Sequence, residues 1–421
     1  MAARVGSRGA LDLRANFAWT ASGNAVFALC QWGAVVVLAR TIAPAAVGEW
    51  SLAFAVTTPA FMLADLQLRT VYATDVDERF ELASYVALRV VATLLVCLGL
   101  LGFVALRSAQ GLPVLTILGV SAAKAVESVS ELLYGVFQKR ERMDRIARSL
   151  LLRGVLALAA LGSVVAASGS VPLGAAAFAL SWLAVLLAHD VPTARQLAGG
   201  ARPLLPRCEA RALAGLFRLA LPLGIVTGLV SLNFSIPRYF LDAYRGPAEL
   251  GVFAAMAYCV LAGGLIVNAL GQSLVVRLSR LYSSGDARGF RDLMIKLLAF
   301  GLGLGALASG AAYFAGSRIL EMLYGREFTA EPMAFSIVVL GGSIGYMSSF
   351  LGYGMTAARF FRVQAPLFAA LALLNGLTCL WLVPRMGLTG AALATVVTAS
   401  AGLALSLAVN VRALRDLRGN P

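Results

Sequence analysis

Charge is scarce in this chain and histidine is almost absent. Only 13% of the 421 residues are Asp, Glu, Lys or Arg, and there is one histidine, His189. Soluble domains carry roughly 25% charged residues, so this composition cannot clothe a water-exposed surface. The five cysteines, Cys30, Cys97, Cys208, Cys259 and Cys379, are widely scattered. They have neither metal-ligand spacing nor the pattern of a secreted disulfide framework, and they read as small packing residues. No metal and no cofactor is expected. His189 stands beside Asp190, but a catalytic dyad needs a nucleophile and a substrate site, and nothing marks one; the pair is expected at the membrane interface.

What is present is apolar sequence: 60% of residues are hydrophobic and the mean hydropathy is +0.82. A hydrocarbon core takes about 20 apolar residues per helix, and twelve such segments can be drawn. They cover residues 15–39, 46–69, 82–106, 112–136, 148–168, 171–190, 217–241, 250–276, 292–316, 333–357, 363–383 and 387–411. The expected fold is all-α, a polytopic membrane protein with twelve transmembrane helices. The first segment, broken by Asn16, Asn24 and Gln31, does not fit the roughly 7–15-residue apolar region of a cleaved signal and is expected to be retained.

Positive charge orients the chain, because Lys and Arg accumulate in short cytoplasmic loops. With both termini cytoplasmic, 25 of the 35 Lys and Arg residues fall on the inner side, from Arg4 and Arg8 to Arg412 and Arg415, and 6 on the outer side. The other four, Arg89, Lys124, Arg153 and Arg238, fall within spans. The net charge of +14 is therefore mostly topogenic and sits near anionic lipid headgroups. Nucleic acid is not an expected partner, since clusters such as Lys139-Arg140-Glu141-Arg142 have no separate soluble domain around them.

The chain also repeats itself. Pro44-Ala45-Ala46-Val47-Gly48 returns as Pro247-Ala248-Glu249-Leu250-Gly251, 203 residues later, and Gly174-Ala175-Ala176 returns as Gly390-Ala391-Ala392 after 216 residues. The difference places an insertion in the second half, around Ser317–Pro332. Six spans per half is even, so the repeat is parallel and its pseudo-twofold axis lies along the membrane normal. Two six-helix bundles, 1–194 and 217–421, are expected around a cytoplasmic linker, 195–216, with Ala210–Leu219 as an amphipathic surface helix. A duplicated bundle of this kind points to an alternating-access transporter with its substrate between the halves.

Ionisable residues at membrane depth are default functional candidates. Lys124, Glu127 and Glu131 share one stripe of the fourth span. With Arg89 and Arg153 at similar depth on neighbouring spans, two readings stand: a structural ion network of Arg89, Glu127, Glu131 and Arg153, or a substrate and ion site. The 203-residue offset maps Asp65 onto Asn268 and Arg69 onto Gln272, which suggests a cavity lined by both halves or helix-to-helix hydrogen bonding. Asn233 and Arg238 lie in the seventh span; Arg238 either pairs with Asp242 one turn away or meets a phosphate bidentately. Asn24 and Gln31, spaced i, i+7, can hydrogen-bond sugar hydroxyls. Gly301-Leu302-Gly303-Leu304-Gly305 follows no strand, so it reads as close helix packing and not as a dinucleotide fingerprint.

Several segments resemble a known family. They are Leu38-Ala39-Arg40, Pro44, Val47-Gly48-Glu49-Trp50 with Leu63-Ala64-Asp65, and Leu221-Pro222-Leu223. Glu249-Leu250-Gly251-Val252-Phe253, Leu323-Tyr324-Gly325-Arg326-Glu327-Phe328 and Val383-Pro384-Arg385-Met386-Gly387-Leu388-Thr389-Gly390-Ala391-Ala392 complete the set. In order and spacing they are similar to polysaccharide-transporter proteins, the lipid-linked oligosaccharide flippase branch of the multidrug, oligosaccharidyl-lipid and polysaccharide exporter superfamily. The resemblance implies an undecaprenyl-diphosphate-linked saccharide moved from the inner to the outer leaflet of the bacterial plasma membrane, and other polysaccharide-assembly proteins as partners. Asp65, Glu127 and Glu131 are the carboxylates to test for proton or sodium coupling. Two alternatives stand beside it. One is a small-molecule or drug antiporter of the same superfamily; the other is a polytopic glycan polymerase or ligase, although the longest outer loop, Gly316–Pro332, holds Arg318, Glu321, Arg326, Glu327 and Glu331 but no histidine.

Overall fold

Where no water reaches the backbone, each N–H and C=O must be paired within its own segment, and helices do this. A computed structural model of the chain describes residues 13–75, 77–107 and 111–419, and among them there are helices and no strand. Arg4 and Arg8 lie outside the described residues. In chain order the helices are α1 (Leu13–Thr41), α2 (Pro44–Asp65), the short α3 (Leu68–Thr74), α4 (Leu82–Arg107), α5 (Val114–Lys139), α6 (Met143–Ser168) and α7 (Val171–Val185). After a π turn at Leu186–Asp190 come α8 (Val191–Leu197), α9 (Ala210–Arg245), α10 (Pro247–Ser283), α11 (Ala287–Tyr324), α12 (Pro332–Ala357) and α13 (Phe361–Gly419).

Ten stretches of the described residues are long and apolar enough to cross a membrane. One of them, Val363–Leu417, is two crossings, because α13 breaks at Gly387 with φ 53° and ψ −129°. The twelfth is α5, which matches its neighbours in length at 26 residues but carries Lys124, Glu127 and Glu131. The protein is therefore a multi-pass membrane protein with twelve transmembrane helices.

Local chemistry sets the turns. Pro44, Pro247 and Pro332 open α2, α10 and α12, where a missing N–H costs nothing. Gly169, at φ 64°, closes α6 through its N–H on the Val165 carbonyl, and Ser170 caps α7 by accepting from the Leu173 N–H. Two expectations change. Residues 210–219 are not a separate surface helix but the first turns of α9, because Leu216 and Ala220 are fully buried. Residues 317–324, expected in a loop, continue α11, whose Leu320 and Tyr324 are buried.

The chain forms two compact units, Met1–Thr41 with Val56–Ser231, and Ile42–Ala55 with Leu232–Pro421. Of the three boundaries, one falls at the end of α1 and two fall inside helices, α2 and α9. In the first unit α1 lies along α6, α6 on α7, and α7 on α5, which also receives α3 and α4. Small residues permit the close α1–α6 approach: a Cβ on Gly23 would stand 2.7 Å from the Ala147 Cα. In the second unit α12 is central and packs on α10, α11 and α13. Gly301 and Gly305 face Phe350 and Ser343 of α12, whereas Gly303 faces nothing within 4 Å. That is the geometry of a packing stripe rather than a phosphate cradle.

The repeated hairpins meet in the second unit. A Cβ on Gly48 would fall 1.8 Å from the Pro247 carbonyl oxygen, and one on Gly251 would fall 1.8 Å from that of Pro44. The contact is reciprocal, as a twofold repeat requires. Glu249, in the second hairpin, also holds the break in α13: its carboxylate accepts from the Leu388 N–H at 3.2 Å, while Arg245 donates to the Pro384 carbonyl at 3.2 Å. The second half of α13 thus starts on a carboxylate and the first half ends on a guanidinium, as helix dipoles favour.

A methyl group at Gly48 has no room, and overpacking typically costs about 1–3 kcal/mol. Gly48→Ala is expected to lower the melting temperature of the purified protein in detergent. Gly99→Ala is the control: with nothing within 4 Å of its Cβ position, it is expected to be neutral or slightly stabilising.

Candidate functional site

The first unit gathers charge at membrane depth. At the end of α2 the backbone turns through two residues in the left-handed region, Leu66 and Gln67, both at φ 51°. Neither is glycine, and strained backbone of this kind persists only where its surroundings fix it. Arg89, reaching from α4 and fully buried, does the fixing. It forms an ion pair with the Asp65 carboxylate, donates to the Asp65 carbonyl at 3.0 Å, and donates to Ser128 Oγ of α5 at 3.0 Å. One guanidinium therefore neutralises an acid and caps the end of α2.

The turn delivers α3, which presents Arg69 to α5. Arg69 donates to Glu131 at 2.9 Å and to the Gln138 side chain at 3.1 Å, and its guanidinium lies over the Tyr134 ring. Deeper along α5, Lys124 donates to Glu127 at 2.7 Å. Arg153 of α6 is fully buried; it lies 3.9 Å from Glu127, donates to the Tyr134 hydroxyl at 3.2 Å, and stacks 4.1 Å over the Trp182 ring of α7.

Of the expected four-residue network, the structure joins Glu127 with Arg153 but gives Arg89 to Asp65 and Glu131 to Arg69. The reason is the turn at Leu66-Gln67, which returns Asp65 and Arg69 toward α4 and α5. Sequence spacing carries no trace of that turn. The pairs differ in exposure: Arg89 is 1% exposed, while Arg69 and Glu131 are 29% and 30% exposed. Asn24 and Gln31 lie elsewhere in this unit, on α1; Asn24 is exposed and donates to the Thr20 carbonyl at 2.8 Å, and Gln31 is half-buried.

His189 and Asp190 sit in the π turn after α7, with Asp190 fully buried in the protein and His189 half-buried. Val191 donates its N–H to Leu186, five residues back, and Pro192 has no N–H to give, so the helix widens into a π turn. Asp190 is fully buried there, with Oδ1 3.0 Å from His189 Nδ1.

The second unit uses amides. Asn233 of α9 donates to the Phe368 carbonyl at 3.1 Å, and Asn375 donates to the Asn233 carbonyl at 2.8 Å, which ties α9 to α13. On α10 the exposed Gln272 donates to Asn268 Oδ1 at 3.1 Å, and the Tyr353 hydroxyl donates to the same oxygen. Arg238 makes no pair with Asp242; it donates to the Phe234 carbonyl at 3.0 Å, one turn back on its own helix. Among the described residues no group of His, Cys, Asp and Glu can hold a metal ion, and all five cysteines are free thiols.

Residues 13–281 match the polysaccharide biosynthesis protein family. The chain belongs to this family. A capsular polysaccharide biosynthesis protein of Staphylococcus aureus, CapF, is 25% identical over 383 residues, covering 91% of this chain and 95% of that one. Among solved structures, an inward-facing multidrug resistance transporter of the MATE family in the MOP superfamily aligns with a TM-score of 0.71 at 12% identity, over 94% of this chain and 96% of that one. An outward-facing structure of a MATE-family transporter aligns at 0.63 with 11% identity, over 96% of each chain. A Vibrio cholerae MATE transporter aligns at 0.67 with 16% identity, also over 96% of each. The family resemblance carried by the first hairpin thus holds, and this chain shares its helical fold with MATE-type proteins.

Removing one partner of a closed ion pair strands the other, which typically costs about 3–5 kcal/mol; a half-exposed pair is worth about 1 kcal/mol or less. Arg89→Ala is therefore expected to lower thermal stability in detergent far more than Arg69→Ala, and Asp65→Asn in the Arg89→Ala background is expected to recover part of the loss.

Proposed function

We propose that this protein is a flippase and not an enzyme, moving an undecaprenyl-diphosphate-linked saccharide from the cytoplasmic to the outer leaflet of the bacterial plasma membrane by alternating access, with both termini in the cytoplasm. The observation that carries the reading is the similarity to a capsular polysaccharide biosynthesis protein along nearly the whole of both chains. It makes the polysaccharide-related task one for the entire helical fold rather than for an attached domain.

The chemistry of such a cargo fits the chain. A diphosphate calls for cations, a glycan for hydrogen-bonding side chains, and a polyprenyl tail stays in lipid. Of the membrane-depth cations, Arg89 and Arg153 are closed into the helix packing, whereas Arg69 is reachable and shares its charge with a half-exposed Glu131. A phosphate can displace Glu131 and take the Arg69 fork bidentately, which a lysine could not match. Arg238 is the corresponding candidate in the second unit, because its guanidinium is spent on a backbone carbonyl and not on an acid. Asn24, Gln31, Asn233, Asn268 and Gln272 are the amide candidates for the glycan, and Lys124 is a third cation. Other polysaccharide-assembly proteins are the expected partners.

Deletion of the gene is expected to accumulate lipid-linked glycan on the cytoplasmic leaflet, and the intact gene to clear it. Drug sensitivity with normal glycan export would instead favour a small-molecule antiporter. Arg69→Ala and Arg238→Ala are each expected to slow flipping in reconstituted vesicles by tenfold or more, given about 1.5–3 kcal/mol for a hydrogen bond to a charged group, while the folded yield stays that of the wild type.

A further inference from the structure

The three carboxylates that sequence reasoning singles out for ion coupling are all spoken for. Asp65 is paired with Arg89, Glu131 with Arg69 at 2.9 Å, and Glu127 with Lys124 at 2.7 Å and Arg153 at 3.9 Å. A proton can reach any of them only by breaking an ion pair in a medium that offers no replacement.

The π turn between α7 and α8 is different. Asp190 is fully buried, its Oδ1 lies 3.0 Å from His189 Nδ1, and its Oδ2 has no hydrogen-bond partner. His189 Nε2 is also buried without a partner. A carboxylate accepts and does not donate, so Nδ1 is the nitrogen that carries hydrogen in the neutral ring, and Nε2 is left as an inward-facing base. Next to the pair, Arg153 has two nitrogens, Nε and Nη2, without hydrogen-bond partners. Unmet donors on α6 and unmet acceptors on the π turn thus belong to one buried region of the unit, where Arg153 and Asp190 interact electrostatically.

We propose that His189 and Asp190 form a proton-binding site of the first unit, in which His189 Nε2 takes the proton and Asp190 orients the ring and stabilises the imidazolium.

The surrounding charges give proton binding a consequence. From α6, Arg153 feels the charge of Asp190 without an ion pair between them; from α5, Tyr134 accepts from Arg153 and shares a hydrogen bond of 2.7 Å with Ser149, and Glu127 and Glu131 lie along the same helix. Arg195 of α8 is exposed, and α7 brings no charged group to the pair. Arg153 therefore stands between two acids, Glu127 and Asp190. An imidazolium at His189 neutralises Asp190 and so leaves Glu127 as the stronger attraction on Arg153. One proton in this way favours the Arg153–Glu127 pair on α5, the helix that also holds Arg69 through Glu131. Use of this proton to drive transport rests on the flippase reading; its binding does not.

Because His189 is the only histidine, selective 15N labelling of histidine gives a single imidazole in the full-length protein in detergent. At about pH 8 the spectrum is expected to show the Nδ1–H tautomer with a bare Nε2, and Nε2 is expected to gain its proton on acidification to about pH 5. Asp190→Asn is expected to lower the proton affinity about tenfold, one unit in midpoint. An Nε2–H tautomer at the alkaline end, or no change across the range, overturns the site; should the Asp190→Asn protein not fold, the wild-type spectra alone decide.

The coupling is read in vesicles loaded with lipid-linked oligosaccharide under an imposed pH gradient. Wild-type flipping is expected to follow the gradient, and His189→Gln is expected to lose that dependence about tenfold while flipping at the basal rate. If the wild type flips the lipid and His189→Gln responds to the gradient as fully, coupling through this site is overturned. If the ring titrates as expected but the wild type flips nothing, the flippase reading falls and the proton site stands.

Discussion

A charge at membrane depth has no solvent to fall back on, and the first unit is organised by that constraint. Desolvating an ion costs several kcal/mol even after relaxation, so a helix carrying Lys124, Glu127 and Glu131 can enter the bilayer only if its neighbours answer each charge. They do: α3 brings Arg69, α6 brings Arg153, and Lys124 serves Glu127 within α5 itself. The same rule explains Arg89. It matches Asp65, which stands at the end of α2 where a helix dipole disfavours an acid, and it also takes the Asp65 carbonyl, which the left-handed turn leaves outside the helical ladder.

The second unit leans more on neutral groups. Neutral amides donate to carbonyls on neighbouring helices: Asn375 to Asn233, Asn233 to Phe368, and Asn410 to Leu351. An amide costs far less than a charge to bury and still fixes helix register. The two units are therefore copies in topology but not in cohesion. Ionic joints respond to a competing proton or phosphate, whereas amide joints do not, so the helix-to-helix joints of the first unit are the more responsive.

Much of this architecture was legible. Apolar length gave twelve crossings, and even the break in α13 was placed near its observed position, because Pro384 and Gly387 interrupt the run. The repeated hairpin marked a true symmetry element: Gly48 and Gly251 touch across it. Less legible was everything that depends on a turn. The kink at Leu66-Gln67 uses no glycine or proline, so no residue type announced that Asp65 would meet Arg89 or that Arg69 would meet Glu131. Spacing had grouped Arg89 with Glu127 and Glu131 by depth alone, and depth cannot say which face a side chain takes.

The π turn shows the same limit from the other side. Pro192 was in plain view, and a proline near a helix end is usually no more than a terminator. Here the helix continues through it, and the Val191 to Leu186 bond, one residue before the proline, widens the helix. Asp190 is fully buried in this turn, beside the one histidine in the chain. An ordinary His-Asp pair at a helix end is thus a base and a buried acid within electrostatic reach of Arg153. The consequence follows from geometry: a proton taken up here breaks no pair with Arg or Lys, because neither His189 nor Asp190 has one.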